Sequence, residues 1–160
     1  MVVLKIYYHI ICLIKVFFFK LLYTRKFQMS LSSTFRAGFH AVCEDEGHII
    51  IGKNVFFNNY CTVCALNEIT IGDGTIFGEN VKIYDHNHIY SNPDMLIKHQ
   101  GYTSAPIHIG KHCWIGSNVT ILKGVTIGDN SVIGAGCVVY KDVPEQTVLI
   151  NRQDIIEKSK

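Results

Sequence analysis

The sequence predicts an all-β solenoid, a parallel coil of six-residue repeats, fronted by a helical segment and interrupted by one extruded loop. Three observations predict it. From residue 109 the chain reads IGKHCW, IGSNVT, ILKGVT, IGDNSV, IGAGCV, VYKDVP, so aliphatic residues recur six apart at Ile109, Ile115, Ile121, Ile127, Ile133 and Val139. The same beat runs through Ile51, Phe57 and Val63 and again through Ile71, Phe77 and Ile83, with one offset of two residues at 64–70. Four positions after these residues come small or aliphatic ones: Val55, Cys61, Thr75, Val81, Cys113, Val119, Val125, Ser131, Cys137 and Val143. A period of six fits neither an amphipathic helix nor an alternating strand. It fits a three-sided coil in which each hexapeptide supplies one short strand and one turn. The aliphatic residue points inward onto its copy in the next coil, and the small residue fits the corner. About a dozen repeats, or roughly four coils, are enough for a solenoid stabilised by its neighbouring turns. A β-sandwich does not hold a six-residue beat this long.

The elements follow in order. Residues 1–30 are an apolar and basic helical segment: positions 2–23 hold no Gly or Pro and carry Lys5, Lys15 and Lys20 among apolar residues. A secretory signal would need a small-residue cleavage site, and none is present. A bilayer span would bury Lys15 near its centre at about 2.5–3.5 kcal/mol. Two readings stay open. The helix packs on the rest of the protein or on a partner subunit, or it lies in a membrane surface as a peripheral contact through residues 1–26, its lysines with Arg25 and Lys26 near anionic lipid.

Residues 31–150 carry the repeats. Gly52, Gly72, Gly110, Gly116 and Gly128, with Asn118 and Asn130, suit turns in which positive φ is common. Between Ile83 and Ile109 the beat stops. The loop 84–108 is too polar and irregular for rungs and contains Asp85, His86, His88, His99 and His108. Loops held on a rigid scaffold commonly carry function. Residues 151–160 are a tail.

Composition narrows the function. One domain is the expectation for 160 residues; 48% hydrophobic and 18% charged content is that of a globular chain. A net charge of +2 without a dense basic run excludes a nucleic-acid partner. Six cysteines are present, but the chain is too long and regular to need a disulfide framework. Cys61 and Cys64 have no second pair at zinc-ribbon spacing, so no metal is expected. The cysteines read as reduced, small apolar residues of a cytoplasmic protein; under the lipid reading, that protein associates with the inner face of the membrane.

The segments ITIGDGTIFGENVKIYDHNH and CWIGSNVTILKGVTIGDNSVIGAGCVVYKDVP resemble the hexapeptide-repeat acyltransferases, in particular the branch of galactoside, maltose and polysaccharide O-acetyltransferases. The resemblance covers about residues 47–148. It implies a left-handed parallel β-helix, a homotrimer with active sites between subunits, acetyl-CoA as co-substrate and a sugar or glycan acceptor. Acetyl transfer to a hydroxyl needs a base, and a neutral imidazole is the usual one. By the resemblance His88, five residues after Ile83, is the catalytic histidine, with His86 its near competitor. Asp85 or His86 would orient the imidazole. Asn58, thirty residues before His88, matches the acceptor-contacting Asn. Trp114 matches a residue lining the pantetheine channel; Gly78, Ser117 and Ala135 match small residues along it. Tyr140 and Lys141 match the distal CoA-contacting pair, and Arg152 is a candidate phosphate partner. No nucleophile is required, since direct attack with a backbone N–H oxyanion donor suffices.

Three departures stand out. The Gly-Asn-Pro ending after the last rung is replaced by VLINRQDIIEKSK; Lys123 stands where a Pro is common; and the helical domain of serine acetyltransferases is replaced by the short apolar segment. The last points toward a glycan or lipid-linked sugar acceptor. The same scaffold carries other functions. N-acetylation of a sugar-nucleotide amine and O-acetylation of serine or a small antibiotic are the rivals within the enzyme class. A zinc lyase of the γ-carbonic anhydrase type would need His108, His112 and either His86 or His88 to converge between subunits. A non-catalytic assembly subunit would have no need of the loop histidines.

Overall fold

The computed structural model describes residues 2–152, with side chains from residue 6 onward. The Lys5 side chain and tail residues 153–160 lie outside the described residues. Three parallel sheets form the faces of a triangular prism. The first face stacks Phe27–Met29, His48–Ile51, Glu68–Ile71, Ile107–Ile109 and Thr126–Ile127. The second stacks Thr34–Phe35, Phe56–Phe57, Ile76–Phe77, Trp114–Ile115, Val132–Ile133 and Val148–Leu149. The third stacks His40–Cys43, Thr62–Ala65, Lys82–Tyr84, Thr120–Leu122 and Val138–Val139. The chain visits the faces in rotation, giving a left-handed parallel β-helix of five coils and one further rung.

The six-residue beat is the inward column of each face. Ile51 pairs with Ile71, Ile71 with Ile109 and Ile109 with Ile127 on the first face. Phe57, Phe77, Ile115 and Ile133 do the same on the second, and Val63, Ile83, Ile121 and Val139 on the third. All twelve are at most 3% exposed. Burying each such side chain contributes roughly 1.5–3 kcal/mol, so the stack itself holds the fold.

The small residues occupy the corners as the spacing predicts, and all ten are at most 5% exposed. Where the corner residue is polar, it bridges coils. Ser33 Oγ donates to the Gly52 carbonyl (2.7 Å) and accepts from the Val55 amide (2.9 Å). Thr75 Oγ1 donates to the Gly110 carbonyl (2.8 Å) and accepts from the Cys113 amide (3.1 Å). The six cysteines are free thiols.

The glycines serve a different purpose from the one the turns suggested. Gly52, Gly72, Gly110, Gly116 and Gly128 are not at positive φ; that conformation falls two residues later, at Asn54, Gly74, His112, Asn118 and Asn130. What excludes a side chain is the next coil. A Cβ at Gly72 would lie 2.6 Å from the Gly110 carbonyl carbon, and one at Gly110 would lie 2.7 Å from the Asp129 amide. These glycines let backbones approach, while the left-handed residues turn the corner.

The prism begins at Phe27, earlier than the boundary at residue 31, and its first coil lies outside the stretch of clear repeats. An aromatic column fills this end. Phe39 stacks on Phe35 with centroids 4.4 Å apart and meets Phe57 at a tilt at 4.8 Å, and Phe57 stacks on Phe77 at 4.4 Å. The helix Val2–Tyr23 closes the open end. It packs through one stripe, with Cys12 (1% exposed) and Val16 (3%) at its centre and Phe19 against Phe27 and Phe39. Packing on the rest of the protein, the first of the two readings of this segment, is therefore observed. By length and composition alone, Ile6–Lys26 is also long and apolar enough to cross a membrane.

Candidate active site

The excursion leaves the third face after Tyr84 and rejoins the first at Ile107. Tyr84, Ile107 and His108, placed in the loop by sequence, are strand residues; Ile107 is fully buried. The base of the excursion is clasped. The Ala105 amide donates to the Asp85 carbonyl (2.9 Å), and the Gly124 amide to the Ala105 carbonyl (3.2 Å). Beyond the clasp, His86–His88 pairs antiparallel with Tyr102–Ser104, so His86 faces Ser104 and His88 faces Tyr102.

Asp85 explains how His86 is held. It stands one step beyond the inward position of Ile83, fully buried beneath the corner where the two-residue offset lies. Its Oδ1 accepts from the Leu66 amide (2.9 Å) and its Oδ2 from the Asn67 amide (2.7 Å). The same Oδ1 meets His86 Nδ1 at 3.0 Å. The carboxylate thus stabilises the offset corner and fixes one imidazole. It reaches His86 and not His88. The ring of His88 is exposed and lies 4.4 Å from that of Tyr102, which also meets His86 edge-on at 5.4 Å. Tyr102 thus joins the two imidazoles.

Lys123 is explained by the same region. Its Nζ donates to Thr103 Oγ1 (2.6 Å), tying a rung corner to the hairpin.

Asn58 follows Phe57 at the corner between second and third faces. Its Oδ1 accepts from Arg36 Nη1 (3.2 Å) and from the Asn59 amide (2.9 Å). Arg36 also lies over the Phe56 ring at 5.5 Å. The sequence reading missed both Arg36 and Tyr102. The signal for Arg36 was available: it stands 22 residues before Asn58, about one coil earlier, and residues one coil apart stack.

Gly78, Ser117 and Ala135 come together at the same corner, on successive coils. A Cβ at Gly78 would lie 2.5 Å from the Ser117 amide, and one at Gly116 would lie 2.6 Å from the Ala135 amide. Ser117 Oγ accepts from the Glu79 amide (3.1 Å). Stacking therefore demands glycine at Gly78 and Gly116, whatever else this corner touches. Trp114 projects outward from the second face between Ile76 and Val132 and is 55% exposed. Tyr140 and Lys141 are exposed on the coil above, with Lys141 Nζ 5.7 Å from the Tyr140 ring centre. Arg152 is exposed near the end of the described chain.

Neither thiols nor metal ligands cluster here. Burial pushes the Cys113 thiol upward, and those of Cys43, Cys61 and Cys64 up to about 11. Among the described residues no group of three or more His, Cys, Asp or Glu is arranged to hold a metal ion. His108 Nδ1 lies 2.8 Å from Thr70 Oγ1, on the neighbouring rung.

Residues 106–141 match the family model described as the hexapeptide repeat of succinyl-transferase. A solved hexapeptide-repeat-containing acetyltransferase from Vibrio cholerae is 31% identical, with 75% of this chain and 69% of that one covered and a TM-score of 0.62. The chain belongs to the hexapeptide-repeat acetyltransferases. Within that family the galactoside O-acetyltransferase of Escherichia coli K12 is 44% identical over 101 residues, covering 63% of this chain and 49% of that one. A putative lipopolysaccharide biosynthesis O-acetyltransferase of the same organism is 36% identical over 110 residues, covering 64% and 56%. The chain spans about half the length of these curated relatives. The Vibrio acetyltransferase has also been solved with acetyl coenzyme A bound.

Proposed function

We propose that the protein transfers the acetyl group of acetyl-CoA to a sugar hydroxyl, of the kind presented by capsule, exopolysaccharide or lipopolysaccharide intermediates, with His88 as general base. The observation that carries the reading is the exposed His88 imidazole, braced on Tyr102 at the mouth of a clasped excursion, beside a second imidazole anchored by a buried carboxylate. His88 takes the hydroxyl proton as the oxygen attacks the thioester carbonyl. The tetrahedral intermediate collapses, the C–S bond breaks, and the imidazolium returns the proton to the departing CoA thiolate. The transfer is direct, because Cys61 and Cys113 are buried in corners with their thiols pushed toward the neutral form.

The related galactoside and lipopolysaccharide O-acetyltransferases and the acetyl-CoA complex support the substrate classes. The outward stripe of Ile76, Trp114, Val132 and Val148 on the second face supports a homotrimer with the donor arm between subunits. Asn58, with Arg36 beside it, is the candidate acceptor contact. On this reading the reaction is cytoplasmic.

Free-thiol release from acetyl-CoA, measured against galactosides, maltose, glycan intermediates, amino sugars and serine, tests the reading. His88→Ala is expected to lower kcat about 10²- to 10⁴-fold with the CoA KM little changed. Full turnover by His88→Ala would remove the proposed base. Turnover with amines or serine but no sugar would overturn the acceptor class.

A further inference from the structure

The helix Val2–Tyr23 carries two apolar stripes, and the prism uses only one. Cys12, Val16, Phe19 and Tyr23 face inward. Ile10, Ile14, Phe17 and Leu21 are the same set displaced by two residues, which at 3.6 residues per turn is about 200° around the helix. These four are 51%, 47%, 64% and 65% exposed. Leu13 and Phe18 widen the outer stripe. His9 and Lys20 fall on one edge of this apolar face and Lys15 on the other, so their polar ends can leave it for water.

The charge of the chain is divided accordingly. Residues 1–43 contain six Lys and Arg and no Asp or Glu; the remaining 117 contain nine basic and thirteen acidic residues. At the last turn of the helix, Lys20 and Arg25 line a cleft of about 540 Å³ with Met29 and Ile50 on its wall. Cations over an apolar wall suit a phospholipid head group.

We infer that this end of the prism docks on an anionic membrane surface, with the outer stripe of the helix in the head-group boundary and the helix axis parallel to the bilayer. An apolar face with cationic edges and no acidic residue is the pattern of an interfacial helix. The cytoplasmic leaflet supplies the complementary negative charge. A second copy of the same helix face would instead set Lys15, Lys20 and Arg25 against their own counterparts. Spanning is also disfavoured, because drawing the helix across a bilayer would strip Phe19 from Phe27 and Phe39 and unbury Cys12 and Val16.

Flotation of the full chain with phosphatidylcholine vesicles, with and without phosphatidylglycerol, tests this. The protein is expected to float with anionic vesicles, to be released by high salt or alkaline carbonate, and to bind neutral vesicles weakly. Lys20→Gln with Arg25→Gln should weaken anionic binding roughly 30-fold, about 1 kcal/mol for each cation, and leave neutral binding unchanged. Phe17→Ser with Leu21→Ser should abolish flotation while leaving the thermal midpoint and helical circular dichroism intact, since neither side chain touches the prism stripe. Wild-type protein that stays with the unbound fraction would overturn the inference. So would carbonate-resistant insertion, or an outer stripe whose mutation splits a larger assembly without changing lipid binding.

Discussion

Asp85→Asn keeps the size of a fully buried side chain and removes its charge. The native carboxylate accepts from the Leu66 and Asn67 amides at 2.9 and 2.7 Å and holds His86 Nδ1 at 3.0 Å. Whichever way the new amide turns, its NH₂ opposes one of the two backbone donors. One part-buried N–H then loses its partner, and a donor left unsatisfied beneath the corner costs about 1–3 kcal/mol. The remaining bond loses its charge assistance, which brings the expected loss to about 3 kcal/mol. For a chain of this size each kcal/mol moves Tm by about 2–4 °C, so Tm should fall by about 6–12 °C. Thermal unfolding by circular dichroism at fixed protein concentration measures it. His86→Phe, which leaves both amide bonds in place, separates the corner from the imidazole and should move Tm far less. A drop below about 2 °C for Asp85→Asn would refute the claim that this carboxylate anchors the offset corner.

Other outcomes follow from the packing. Gly110→Ala sets a Cβ 2.7 Å from the Asp129 amide, a backbone contact that cannot yield cheaply; it should destabilise by at least about 1–3 kcal/mol, read as a lower urea midpoint. Trp114→Ala should raise the acetyl-CoA KM about ten-fold, roughly 1.4 kcal/mol, with a smaller change in kcat in steady-state assays. The Cys43, Cys61 and Cys64 thiols are held up to about 11 by burial. Their folded values lie above the unfolded one, so this stability is present below pH about 8.5 and is lost as pH rises toward 11. Tm should therefore fall over that alkaline range, with a shallower slope in Cys61→Ala.

Much of this architecture is local and therefore legible. Ile109, Ile115 and Ile121 announce three faces by spacing alone, and Cys113 and Val119 announce two corners, because each coil repeats the same steric demand. The first coil escaped for a definite reason. Met29, Phe35 and Ala41 keep the six-residue spacing, but Ala41 and Ile51 are ten apart, so the first coil is out of phase with the next, and Phe39 puts an aromatic ring where a small residue is expected. The glycine roles were also hidden, since nothing within the Gly72 hexapeptide shows that Gly110 passes 2.6 Å from its missing Cβ. In the site, His88 was singled out by resemblance. The partnership of Asp85 with Leu66 and Asn67, the bond from Arg36 to Asn58, and the tether from Lys123 to Thr103 depend on residues 18 to 22 apart. Such pairs become visible only once the chain is wound.

The clasp at the root of the excursion has an evolutionary consequence. Because the Ala105 amide bonds back to the Asp85 carbonyl, the chain departs and returns at a single doorway, and the rungs on either side stack as though nothing had been inserted. Segments of different length and chemistry can be grafted at that doorway without disturbing the column beneath. Selectivity for new acceptors can therefore diverge on this scaffold at little thermodynamic penalty, and loop chimaeras between relatives should fold.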